Sequence, residues 1–124
     1  MTDTMAKYFT ASEFRRCTPS CYISDMRPEF LELLDRIREK AGIPLVLTSA
    51  YRSPAWERKQ GRTGTGAHTL GVAVDIRCNT SQNRYKIVRA ALACGITRIG
   101  ISKTYVHIDA SRDHAQGVIW HYYA

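Results

Sequence analysis

No apolar run in this 124-residue chain approaches the roughly 20 residues that a membrane-spanning helix needs. The opening stretch MTDTMAKYFTASEF lacks the apolar core of a secretory signal, so no self-encoded export is expected. A role outside the cytoplasm would then require release by something else. Internal repeats and low-complexity tracts are absent, which sets aside solenoids and biased tails. Acidic residues are scarce, 11 against 18 Lys and Arg, for a net charge of +7. Cysteine is sparse too, at Cys17, Cys21, Cys78 and Cys94. Only the first two are close, in CTPSC, so the second tight Cys/His pair of a structural zinc site is missing. Buried free thiols are the preferred reading. The alternatives are a Cys17–Cys21 disulfide or a metal site joined by Cys78.

A basic surface favours polyanions, either nucleic acid or an anionic cell wall. The basic residues are scattered, however. Their densest run, RSPAWERKQGR, is broken by Pro and Gly and has no recognition-helix pattern. Neither nucleic acid nor a membrane is the expected partner. The chain is 44% apolar and 23% charged, which is a globular composition. Its length predicts one domain over residues 1–124 with one ordinary core.

Local signals order the chain. TASE, residues 10 to 13, reads as a capping box opening a short helix. SDMRPEFLELLDRIREKAG is the clearest helix: Pro28 suits its first turn, Gly42 its stop, and Phe30, Leu33, Leu34, Ile37 and Ala41 form one stripe. IPLVLTSAYR reads as a buried strand, and residues 53–66 as a long polar loop of the kind that often carries function. GVAVDIRC is a second strand. TSQNRYKIVRAALACG is a helix with Ile87, Val88, Ala91 and Leu92 inward. ITRIGIS and TYVHIDA form a strand pair turning near Lys103, and GVIWHYY is a last strand. The order α, α, β, β, α, β, β, β predicts an α+β fold.

One strand carries an acid where apolar residues are expected. Alternation puts Val72, Val74 and Ile76 on one face and Ala73 and Asp75 on the other. The same rule in TYVHIDA gives Val106 and Ile108 against Tyr105, His107 and Asp109. If the strands pair, Asp75, His107 and Asp109 gather on one face, and His68 in the preceding turn leans over them. A buried carboxylate without a partner is costly. Two imidazoles and a carboxylate around a divalent metal with an open fourth position would form a catalytic zinc site. An Asp75–His107 hydrogen bond with a surface His68 is the other reading.

GAHTLGVAVD with the later YVHID resembles the SxHxxGxAxD…HxD signature of zinc D-Ala-D-Ala carboxypeptidases and L-Ala-D-Glu endopeptidases. These are peptidoglycan peptidases of the hedgehog/DD-peptidase fold. TSAYRSP is similar to that family's SGYRSP segment. The whole chain is most similar to compact single-domain versions found in phage and prophage genes. The resemblance implies a small antiparallel sheet flanked by helices, with zinc on His68, Asp75 and His107. It implies that Arg52 binds the substrate carboxylate or the scissile carbonyl, a role suited to a fixed planar cation. The implied partner is the peptidoglycan stem peptide, and a monomer is expected. The implied setting is the wall after phage or prophage lysis, as for an endolysin, or the cytoplasm. Tyr51 is read as a cleft wall or a core tyrosine, and the 53–66 loop with Trp56 as a cleft cover.

There are two departures from the signature. Gly66 replaces the serine two residues before the first histidine, leaving Thr63 or Thr65 as the nearest hydroxyls. Thr104 stands where many relatives carry a Glu or His base. Asp109 is therefore expected as the general base, with His114 next in line; the alternative is that Asp109 orients a metal-bound histidine. Carboxypeptidase and endopeptidase both remain open, as does a catalytically inactive zinc domain that binds wall peptides or a protein partner.

Overall fold

The structure, a computed structural model, describes residues 6–122. The capping box forms as expected: the Thr10 side chain accepts from Glu13 N–H at the start of α1 (Ala11–Arg15), and the Glu13 carboxylate accepts from Thr10 N–H. A 3-10 turn (Ile23–Asp25) leads into α2 (Pro28–Ala41), with Pro28 in its first turn. Gly42 ends α2 at φ 71°, the left-handed conformation that glycine adopts without strain. Phe30, Leu34, Ile37 and Ala41 are buried together with Leu31, while Leu33 is only half-buried.

Further along come β1 (Leu47–Ser49), α3 (Pro54–Lys59), a second 3-10 turn (Ala67–Leu70), β2 (Ala73–Arg77), α4 (Ser81–Ala93), β3 (Arg98–Ile101), β4 (Tyr105–Asp109) and β5 (Val118–His121). The stretch 53–66 is therefore not one loop. Ser53 caps α3, accepting from Trp56 N–H at 3.0 Å, and Pro54 occupies its first turn. Ser-Pro followed by good helix formers is a start signal that the polar composition concealed. Leu92 is also not inward but 51% exposed. The buried stripe of α4 runs through Ile87, Ala90 and Ala91, and Leu92 sits roughly 140° round the helix from Ile87.

Among the described residues the strands form one sheet in the order β1-β2-β4-β3-β5. The first four are antiparallel, but β5 runs parallel to β3, so the expected antiparallel sheet is mixed at one edge. Residues 110–117 cross the end of β3 to allow this. Tyr123, which the sequence placed in the last strand, lies outside the described residues. Val74, Ile76, Ile99, Val106 and Ile108 belong to the same buried cluster as the apolar stripes of α2 and α4. Among the described residues, no helix is long and apolar enough to cross a membrane. All four cysteines are free thiols, with Cys17, Cys21 and Cys78 buried.

Candidate metal centre

The opposite face of the sheet is polar. Asp75 on β2 pairs directly with His107 on β4, and Ala73 with Asp109. On β3, Gly100 lies beside His107 and Arg98 beside Asp109. His68 comes from the second 3-10 turn. Gly71 ends that turn at φ 73°, and any Cβ there would meet Asp25 O at 2.5 Å. Only glycine allows the turn to close there and hold His68 over Asp75. Gly100 serves a different purpose. A Cβ on it would meet Trp120 Nε1 at 2.7 Å, so its absence lets the indole lie on the sheet, 5.4 Å from the His107 ring.

His68, Asp75 and His107 are all buried, and one ligand atom from each lies within 4.8 Å of the others. His68 Nδ1–H donates to Ala50 O at 2.6 Å, which turns Nε2 inward. That Nε2 is buried without a hydrogen bond, 3.3 Å from Asp75 Oδ1. His107 Nε2–H donates to Asp109 Oδ2 at 2.6 Å, and its Nδ1 faces Asp75 Oδ1 at 3.0 Å. Each ring thus spends one nitrogen on an oxygen acceptor and turns the other toward the same carboxylate. This is how metal-binding histidines are held, and a set of two imidazole nitrogens and one carboxylate suits zinc. A cation there fits a buried His68 nitrogen that makes no hydrogen bond and faces the Asp75 carboxylate, because an unmade hydrogen bond in the interior is costly.

The charges agree with this arrangement. Burial pushes the Asp75 carboxyl up, but the hydrogen bond with His107 and the nearby His68 ring outweigh it and hold it well below the usual carboxylate range. Burial lowers His68 below the usual histidine value. His107 is raised despite its burial, because Asp109 and Asp75 both bond it.

Arg52, 18% exposed, stands at the edge of this cluster, with Nη2 4.0 Å from Asp75 Oδ2. Its Nε is 3.8 Å from Glu57 Oε2. Glu57 was not singled out in the sequence. It is buried on α3, and Oε2 accepts from Arg62 Nε at 2.8 Å and pairs with Arg62 Nη2 2.7 Å away. Burial raises the Glu57 carboxyl, but Arg62, Arg52 and His68 together bring it below its ordinary value. A lone acid inside the basic run RSPAWERKQGR was the available signal. Trp56 lies 6.0 Å from the Arg52 guanidinium and 5.5 Å from that of Arg62. Tyr51 is half-buried against the core cluster.

Asp109 departs from its expected place. It is 0% exposed and bonds the ring nitrogen of His107 opposite the one facing Asp75. Its Oδ1 accepts from Arg98 Nε at 2.7 Å and from Ser111 N at 3.0 Å. Both of its oxygens are engaged and it is fully buried, on the side of the His107 ring away from Asp75. These contacts are those expected of the alternative role, a carboxylate that orients His107. His114 shares a 2.6 Å hydrogen bond with Ser111 Oγ on the 110–117 segment and does not join the triad. Arg98 and Trp120 were also missed, since nothing in ITRIGIS or GVIWHYY distinguishes them from ordinary strand residues.

The polar face of this sheet gathers two histidines and an aspartate placed so that they could hold a metal ion. The model of the family Peptidase M15 matches residues 7–109, and the chain belongs to that family. Among solved structures, the Serratia marcescens L-Ala D-Glu endopeptidase ChiX shares the fold, with a TM-score of 0.54 and 20% identity over 81% of this chain and 90% of that one. No curated protein matches the chain.

Proposed function

We propose that the chain is a zinc-dependent peptidase that hydrolyses an amide bond in the peptidoglycan stem peptide. One peptidase domain over residues 1–124 is part of the same reading, supported by the family match over 7–109 and a sheet running from 47 to 121. The observation that carries the proposal is the buried His68 Nε2, which makes no hydrogen bond and is aimed with His107 Nδ1 at Asp75. His68, Asp75 and His107 hold the metal. When bound, zinc lowers the pKa of a coordinated water to about 7 and polarises a carbonyl.

The chain's other residues position and neutralise. Arg52 binds a substrate carboxylate or the developing oxyanion, where a fixed guanidinium in a partly buried setting acts strongly. Glu57 holds Arg52 from behind and is itself held by Arg62. Asp109 keeps His107 oriented by accepting from Nε2. The Tyr105, Trp120 and Tyr122 rings line the sheet next to His107 and offer a surface for the apolar parts of the peptide. The net charge of +7 favours approach to an anionic wall.

Digestion of whole sacculi by zinc-loaded protein, with the products weighed by mass spectrometry, tests this reading. Loss of a terminal D-Ala marks a carboxypeptidase, and a cut after L-Ala marks an endopeptidase. Binding of wall peptides without any product would replace the proposal with the inactive wall-binding domain.

A further inference from the structure

We propose that Arg98 is a positioning residue of the metal centre, acting on His107 through Asp109. The inference rests on the metal reading above and adds to it a residue that touches neither metal nor substrate. Arg98 opens β3 directly beside Asp109. Its side chain is 12% exposed, and its guanidinium makes three contacts. Nε donates to Asp109 Oδ1 at 2.7 Å, Nη1 donates to Ala115 O at 2.7 Å, and the carbon lies 4.9 Å from the Trp120 ring centre.

The geometry explains why this matters at His107. A carboxylate aims one oxygen accurately only if the other is fixed. Arg98 and Ser111 N–H fix Asp109 Oδ1, so Oδ2 is directed at His107 Nε2. That contact keeps Nε2 as the donor and turns Nδ1 toward Asp75 and His68. Arg98 also supplies the cation that a fully buried carboxylate requires. Trp120, on which the same guanidinium rests, borders the His107 ring from the side. One arginine therefore secures the back and flank of a metal-binding imidazole. It also pins residue 115 of the crossing segment, so a purely structural role must be separated from a positioning one.

Zinc affinity, measured by competition with a chromogenic chelator, makes that separation. Arg98→Met should weaken zinc binding roughly ten- to a hundredfold, the range for partners of a ligating histidine. Arg98→Lys, which keeps the charge and one donor, should recover part of the loss. Asp109→Asn should weaken binding to a similar degree. The double variant should be little worse than the weaker-binding single, because both changes cut one chain of contacts. Thr97→Val removes the 2.7 Å Thr97–Gln116 clasp on the same crossing segment without touching Asp109, and it should leave zinc affinity unchanged.

Unchanged affinity in Arg98→Met, additive losses in the double variant, or an equal loss in Thr97→Val would each overturn the positioning role. If Arg98→Met does not fold, the same cycle is run with Arg98→Lys, and additivity is again the overturning result. Wild-type protein that takes up no zinc would overturn the metal reading itself. Wild-type protein that binds zinc, with Arg98→Met binding it equally well, would overturn this inference alone.

Discussion

The two faces of the sheet are built from the same strands under opposite rules. On one, Val74, Ile76, Ile99, Val106 and Ile108 meet the stripes of α2 and α4, and each residue contributes through area removed from water. On the other, Asp75, His107 and Asp109 are buried and Arg98 is half-buried beside them, yet each contributes through a few directed contacts. The apolar face tolerates exchange of similar volumes, because dispersion and hydration are not directional. The polar face tolerates almost none, because removing one partner strands a buried charge. Alternation along β2 and β4 places both kinds of interior within one layer of backbone.

The comparison is broken most severely by His107→Ala. We expect nearly complete loss of bound zinc and of turnover, with far-ultraviolet circular dichroism close to wild type, since the apolar face is untouched. Metal analysis that still finds one zinc per chain would refute the ligand set. Arg52→Ala comes next. Zinc should stay, while kcat/KM on a stem peptide falls about a hundredfold or more, the usual cost of one transition-state donor. An unchanged kcat/KM excludes Arg52 from the reaction.

Ile108→Ala probes the other face at a position whose strand neighbour is His107. It should cost about 2–5 kcal/mol of stability, read as a lower denaturation midpoint in urea. The protein that remains folded should bind zinc as tightly as wild type. A loss of zinc affinity comparable to the loss for His107→Ala would show that the two faces are not separable.

The smallest effect concerns Cys17, which donates its thiol to Glu13 O beneath α1. Burial pushes this thiol up to about 12, from 9.0. The folded state therefore holds the proton more tightly than the unfolded one. Its contribution is whole below pH 9 and fades as the pH rises toward 12. At pH 8 a maleimide should leave Cys17 unmodified in native protein and label it in urea. Rapid native labelling would show that the thiol is not shielded.

Much of this was legible in order along the chain. The capping box at Thr10, the stripe of α2 and its stop at Gly42 depend on neighbours within a few residues, and they form as read except that Leu31 is buried and Leu33 only half-buried. Period-two alternation put Asp75 and His107 on the same side of their strands before the strands were known to pair. The helix in 53–66 was missed because a polar composition outweighed a local Ser-Pro start. β5 was expected as a strand, but its parallel pairing was not, because direction depends on where the crossing segment 110–117 carries the chain.

The sequence by itself determined which side chains could meet, since alternation and spacing are properties of the local backbone. Only the tertiary structure decided which atoms do meet. Two carboxylates, Asp75 and Asp109, share one strand face with His107, and the sequence treats them almost alike. Register sets Asp75 across from His107, facing Nδ1, and a contact from β3 through Arg98 turns Asp109 to Nε2. A hydrogen bond depends on direction over fractions of an ångström. That direction is fixed by the packing of residues far apart in the chain, here positions 75, 98, 107 and 109.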